Sequence, residues 1–379
     1  MRNTENKTKI NWWELRNKEY LYLKNNILKN LINKGVKKAG SLSKLCIVLG
    51  TTHFYAKLND NAGISLGKLK QLLDYLSINY NFINNKILEI RRGNKYSIKN
   101  PKLPIYLKNE EVGSLLGHMT SDGFLSYDKS RKDFIRTTYC SPDEELINEF
   151  VGDIKDVFGE VHFNESIVRN CKTIKFGDSI VGKGLRYAGA PVGKKYKLNR
   201  GIPWIINLNY KLKKNYLSAI FDDEGSVGEL HKPYIILSRS IHINLTKEEE
   251  NLVARYVKSR MIKKVFPTGH IGYSISIKNF INIVKNLDGN LCFKVLNAKP
   301  RLLLDESNLL RENFDIENFV YVITFSITNN GGYSVASSLV IRRKDDVVKF
   351  YKNIGFKLYR KQNRLKNVLT RVGWINNGY

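Results

Sequence analysis

The sequence predicts an α+β fold, with two pseudo-symmetric α-β-β-α-β-β-α repeats behind an N-terminal all-α, helix-turn-helix-like domain. Three observations carry this. Two apolar, helix-compatible runs, Leu115-Leu116-Gly117-His118-Met119-Thr120-Ser121-Asp122-Gly123 and Leu217-Ser218-Ala219-Ile220-Phe221-Asp222-Asp223-Glu224-Gly225, each deliver a carboxylate one residue before a glycine, about one small-domain length apart. Strand-like alternation follows each run. Upstream of both, Leu42, Leu45, Val48 and Leu49 recur at helical spacing.

The elements then follow in order. Within residues 1–100, Gly50-Thr51-Thr52 makes a turn and His53 to Leu58 a short second helix, so His53, Tyr55 and Lys57 are candidate nucleic-acid contacts on a recognition helix. Ser65 can cap a third helix whose Leu66, Leu69, Leu72, Leu73 and Leu76 form one stripe, with Ile64 as a staple against Leu69. Arg91 to Pro104 reads as a linker. The first repeat occupies 101–205. Asn109 can cap its first helix, Glu110 and Glu111 suit the first turn, and Gly113, Gly117 and Ser121 leave one face nearly bare for close approach of a second backbone. Strands around Phe134–Tyr139 and Cys171–Phe176, a helix after Pro142 and another near Gly184 complete an antiparallel sheet with helices on one face. The second repeat, 206–379, is longer. A helix from Lys247 to Lys263 and a strand from Gly272 to Ile277 are expected, while residues 290–330 lack a first-repeat counterpart and are either an insertion or the start of a C-terminal module.

Charge points to a polyanionic partner. Lys and Arg number 63 against 35 Asp and Glu, giving +28 and a pI near 9.8. Codon bias toward lysine does not explain the deficit of acids. Affinity for a phosphate backbone should fall steeply with salt. No apolar run reaches a membrane-spanning length and Met1-Arg2-Asn3-Thr4-Glu5 lacks the apolar core of a signal peptide, so a cytoplasmic, nucleoid-associated monomer is expected. Cys46, Cys140, Cys171 and Cys292 are scattered, which argues for reduced thiols and against a zinc site. The six histidines show no metal-binding pattern, and His118 reads as a helix-surface or packing residue rather than a ligand.

Asp122 and Glu224 carry the chemistry. In the last turn of a helix the macrodipole is negative and disfavours a carboxylate, so something cationic belongs there. A single Asp-Gly is more often a turn than a site, but two copies fit one composite site. Divalent ions held by Asp122, Glu224 and nearby carbonyls could supply a nucleophilic water, charge stabilisation and leaving-group relief in phosphodiester hydrolysis, and hard oxygen ligands favour Mg2+. Polar rows on the strands could face a major groove: Arg136, Thr138, Lys172 and Lys175 in the first repeat; Ser238, Ser240, His242 and Asn244 in the second, beside the mostly apolar row of Arg239, Ile241 and Ile243. Arg239 joins the candidate DNA contacts.

The two runs resemble the LAGLIDADG homing endonuclease family in its two-motif, single-chain form. Gly117 and Ala219 match the small third position, Asp122 and Glu224 the acidic eighth, and Gly123 and Gly225 the closing glycine; the sixth position is Thr120 in one copy and Asp222 in the other. Gly189-Ala190-Pro191-Val192-Gly193-Lys194-Lys195, Ile202-Pro203-Trp204-Ile205, and Phe350 to Phe356 followed by Lys361 are similar to family segments too, so the resemblance covers roughly 101–370. It implies a metal-dependent DNA endonuclease that cuts both strands of duplex DNA across the minor groove, one per motif. It also implies a basic residue near each metal, for which Lys247 is the better match and for which the first repeat offers only the neighbourhood of Cys140. The rival reading is a non-enzymatic binder, either an RNA maturase or a DNA-binding regulator. An intein is not expected, since no splice-junction residues flank Met1 or Asn376-Asn377-Gly378-Tyr379.

Overall fold

A computed structural model describes residues 6–24, 26–51, 54, 63–92, 96–128, 134–168, 170–229, 232–265, 271–328 and 332–376. At its centre two helices, Glu110–Thr120 and Tyr210–Glu224, pack against each other more extensively than any other helix pair described. Val112 through Thr120 are all buried, so the neighbouring backbone must come close. The glycines allow it. A Cβ built on Gly113 would stand 2.5 Å from the Leu212 carbonyl oxygen, and one on Gly117 would stand 2.6 Å from Ala219 Cβ and 2.7 Å from the Tyr216 carbonyl oxygen. The bare face expected from the four-residue spacing is therefore the contact face. Asn109 holds the N-cap position without a side-chain bond, as does Ser65 further upstream.

Each of these two motif helices runs into an antiparallel sheet. The first sheet is ordered Phe124–Tyr127, Ile135–Ser141, Cys171–Phe176, Phe163–Val168. The second contains the same order: Gly225–Gly228, Tyr234–Ile243, Tyr333–Ile341, Phe319–Ile327. It then continues into the hairpin Ile271–Ser276 and Ile262–Val265, giving six strands. Helix Glu144–Phe158 precedes the returning strands of the first sheet, and helix Arg301–Phe314 precedes those of the second. Residues 301–327 are thus the counterpart of a first-half segment. The extra material is 247–297, which packs Val253, Val257, Phe280, Val284, Leu291 and Val295 into a separate small core against Val322, Phe325 and Val335.

The N-terminal region is not all-α. Helices Ile27–Ala39, Leu42–Val48 and Leu66–Tyr75 are present, but they pack with a five-stranded antiparallel sheet of Ile64–Ser65, Tyr20–Leu23, Ile87–Arg92, Tyr96–Lys99 and Glu160–Val161. Its strands are two to six residues long, too short for alternation to stand out in sequence. Leu21, Ile64, Ile87, Ile90 and Ile98 supply its buried side. Tyr96–Lys99 falls inside the expected linker, and Ile98 pairs with Val161, so the sheet ties this region to the first half of the core. Among the described residues no helix is long and apolar enough to cross a membrane.

Candidate active site at the paired helix ends

The negative ends of the two motif helices do attract cations, and the chain supplies them. Lys195 donates from Nζ to the carbonyl oxygens of Gly123 (2.8 Å), Met119 (3.4 Å) and Ser121. Lys361 does the same at the other helix, donating to the carbonyls of Phe221 (3.1 Å), Gly225 (2.6 Å) and Asp222. Each ammonium sits on carbonyls of the last turn and of the glycine just beyond it, and screens the end of the dipole. Burial pushes Lys195 down to about 8 against the opposing pull of Glu224, with the positive Arg239 nearby adding to the lowering. Lys361 is lowered as well, by burial first.

The two acids at these ends have different surroundings. Asp122 remains open to solvent. Crowding by protein, then the charge of Asp223, nonetheless pushes its carboxyl up to about 6, with Lys195, His118 and Lys361 pulling the other way. Glu224 is pushed up to about 7, by burial first; Arg239 opposes this and Asp122 adds to it. Arg239 donates from Nη1 to Glu224 Oε2 at 2.8 Å, and grips Glu306 with Nε and Nη2 at 2.8 and 2.7 Å. Glu306 is fully buried and also accepts from the Tyr216 hydroxyl at 3.1 Å, which in turn accepts from Thr120 at 3.3 Å. The sixth motif position of the first helix thus connects through Tyr216, Glu306 and Arg239 to the eighth position of the second. Lys195, Glu224, Arg239, Thr120, Ser238 and Ser240 line a cavity of about 320 Å3 beside this network.

The residues between the acids and the helix bodies are structural. Asp223 accepts from His118 Nδ1 at 3.1 Å and from the Tyr139 hydroxyl at 2.7 Å, and both members of the His118–Asp223 pair have fully buried side chains. Burial would lower the His118 pKa, but Asp223 outweighs it and holds the imidazole up at about 8. Asp222 accepts the backbone N–H groups of Lys357 (3.0 Å) and Leu358 (3.1 Å), fixing the entry to helix Tyr359–Arg371 on which Lys361 sits.

Not every sequence candidate lies where expected. Arg239 is a correction: instead of reading bases it occupies the inner row with Leu237 and Ile241, and is buried in the ion-pair network. Lys172 is another. It falls in the row opposite Ser141, away from Thr138 and Lys175, and pairs with Glu144 and Glu165 at 3.3 Å each. Arg136, Thr138 and Lys175 do share the face turned from the helices, Thr138 registering against Lys175, while Tyr139 and Ile174 face inward. Arg136 is exposed there and pairs with Asp128 at 2.7 Å. Ser238 and Ser240 are exposed on the second sheet, His242 is half-buried in the same row, and exposed Asn244 lies just past the strand. Lys247 opens helix Lys247–Leu252, exposed, and does not line the cavity. His53, Tyr55 and Lys57 lie outside the described residues. The cations that do meet the acids are Lys195 and Arg239, with Lys361 at the second helix end. Two of them sit in segments visible in sequence, Gly189 to Lys195 and the stretch ending at Lys361.

No family model matches the sequence, and no curated protein does. Among solved structures, full-length DUF199/WhiA from Thermatoga maritima is 12% identical with a TM-score of 0.35, over 72% of this chain and 63% of that one. The chain therefore spans less than two thirds of WhiA's length. A set of mesophilic variants of the homing endonuclease I-DmoI is matched at 10% identity and a TM-score of 0.34, over 68% and 97% of the two chains. The homing endonuclease I-WcaI bound to its DNA recognition sequence is matched at 12% and 0.32, over 67% and 85%.

Proposed function

We propose that this chain is a site-specific double-strand DNA endonuclease of LAGLIDADG type, with two pseudo-symmetric repeats at 101–205 and 206–379 and a DNA-contacting N-terminal region at 1–100. The observation that carries the reading is the meeting of two carboxylates, Asp122 and Glu224, at the ends of one tightly packed helix pair, within electrostatic reach of each other. Each helix leads into a sheet with an uncovered polar row, and the chain carries +28. Duplex DNA laid across both rows would bring its backbone to the helix ends.

The donor set suits a hard divalent ion at Asp122, an exposed carboxylate raised first by the protein crowded around it and then by the neighbouring Asp223. Among the described residues no cluster of three or more His, Cys, Asp or Glu could hold a metal alone, so the remaining ligands would be water and phosphate, as Mg2+ prefers. Such an ion, when bound, supplies charge stabilisation at the phosphate and a more acidic water. The chain's own groups do the rest. Lys195 is mostly protonated at neutral pH yet near its own pKa, so its Nζ can neutralise phosphate charge and hand a proton to the leaving 3′ oxygen. Arg239 fixes Glu224 beside it. The rival, a catalytically silent DNA-binding regulator or RNA maturase on the same scaffold, draws support from that Arg239–Glu224 pair, which neutralises one acid without any metal.

The test uses duplexes selected for binding from a random pool. Magnesium-dependent double-strand cleavage, lost in Asp122→Asn and in Glu224→Gln with binding retained, supports the enzyme. Binding without cleavage under any divalent ion supports the regulator. Tighter binding to structured RNA than to duplex DNA supports the maturase.

A further inference from the structure

We propose that the two halves of the site are unequal by construction: Arg239, locked by Glu306, holds the Glu224 half closed, so the free protein takes one divalent ion, at Asp122. This rests on the metal-dependent reading above. It follows from a difference that the two motifs do not announce, since both end in an acid and a glycine. Glu224 Oε2 lies 2.8 Å from Arg239 Nη1, and the guanidinium is held there in the free protein, because its other two nitrogens form a bidentate pair with a carboxylate that has no solvent exposure. Bidentate Arg–carboxylate pairs are the most directional of charge-assisted bonds. Glu306 is itself held by Tyr216, and Tyr216 by Thr120 from the first motif helix. Among the described residues Asp122 has no comparable partner: the cations acting on it do so through charge, and Lys195 is bonded to carbonyls of the helix end.

Position explains the difference. Strand Ile135–Ser141 pairs with its neighbours in the order used by Tyr234–Ile243, and where the second half has Arg239 against Ser337, the first has Ser141 against Lys172, whose ammonium is turned to Glu144 and Glu165. In the helix behind, Glu306 of Arg301–Phe314 has its counterpart in Glu149 of Glu144–Phe158, which accepts from Ser114 at 3.0 Å as Glu306 accepts from Tyr216. Glu149, however, pairs with Lys357 and, with serine at 141, has no arginine to hold against Asp122. One half therefore has an arginine clamp on its motif acid where the other has a serine. A divalent ion on the Glu224 carboxylate would share it with a guanidinium that Glu306 holds in place. A DNA phosphate, which also accepts bidentate bonds from arginine, is the group able to draw Arg239 off Glu224. Closure in the free protein and opening on the duplex would make strand cleavage sequential, with the Asp122 strand first.

Manganese, followed by its electron paramagnetic resonance on the full chain, reads the stoichiometry directly, without turnover. One ion per chain is expected for the wild type, one for Glu224→Gln with affinity within about twofold, and none for Asp122→Asn, an affinity loss of at least about tenfold. The paired Arg239→Gln, Glu306→Gln variant removes the clamp without leaving a buried charge, and should take a second ion. Two equivalent ions in the wild type, or equal loss in Glu224→Gln and Asp122→Asn, overturns the inference. Salt-dependent binding of the selected duplexes is measured on the same samples. If it is present with the wrong ion count, the inequality fails alone; if neither duplex nor ion binds, the endonuclease reading fails with it.

Discussion

Replacing Gly117 with alanine tests whether the two motif helices are in backbone contact. The added methyl would lie 2.6 Å from Ala219 Cβ and 2.7 Å from the Tyr216 carbonyl oxygen, both well inside van der Waals range, and the latter belongs to a helix backbone that cannot rotate away. Overpacking of this kind costs roughly 1–3 kcal/mol. Alanine in place of glycine in a helix returns roughly 0.5–1 kcal/mol, so a net loss of about 1–2 kcal/mol is expected. Gly152, on helix Glu144–Phe158, is the internal control, because nothing lies within 4 Å of a Cβ built there; Gly152→Ala should stabilise by the helix-propensity gain alone. Urea denaturation followed by circular dichroism measures both. Ala219→Gly in the Gly117→Ala background should recover only part of the loss, since the clash with the Tyr216 carbonyl remains. If Gly117→Ala stabilises the protein as much as Gly152→Ala does, the helices are not in the contact described.

Further outcomes follow from the same geometry. The His118 pKa is raised to about 8 in the fold, so its pairing with Asp223 stabilises fully below about 6.5 and that contribution, about 2 kcal/mol, is lost as pH rises through 8; Asp223→Asn should flatten the stability profile across this window and lower stability at pH 6 by about 3 kcal/mol. Asp122 and Glu224 titrate near 6 and 7, so cleavage should climb as pH rises through that range, and a rate independent of pH between 5.5 and 7.5 contradicts their role as ionised ligands. Lys175→Gln, on the uncovered face, should reduce the salt slope of duplex binding by about 0.9, whereas Lys172→Gln, already paired to two glutamates, should change it by much less.

The glycine face of the first motif helix and the two inner strands of the first half are legible in sequence because each follows a period, four residues along the helix and two along the strand, and the motif acids because their acid-glycine ending occurs twice. Arg239 shows its inward position only in its row. It alternates with Leu237 and Ile241, and an arginine in an apolar row needs a buried carboxylate; that partner, Glu306, lies on a distant helix with no local mark. The cationic need at the helix ends could be argued from the dipole, but which cation meets it could not, because Lys195 and Lys361 reach Gly123 and Gly225 only through tertiary packing. In sequence the extra segment reads as 290–330 rather than 247–297, since helix Arg301–Phe314 and strand Phe319–Ile327 carry no motif that marks them as equivalents of Glu144–Phe158 and Phe163–Val168. The N-terminal sheet escaped for want of length in its strands.

The most direct measurement is duplex cleavage by the wild type, Asp122→Asn and Glu224→Gln, with each DNA strand labelled separately and magnesium present or chelated. Magnesium-dependent cutting of both strands in the wild type is predicted, with both strands spared in Asp122→Asn and a single-strand nick persisting in Glu224→Gln, while all three proteins bind the duplex. Undiminished double-strand cleavage in both variants, or cleavage that survives chelation of the metal, contradicts a site built on these two acids.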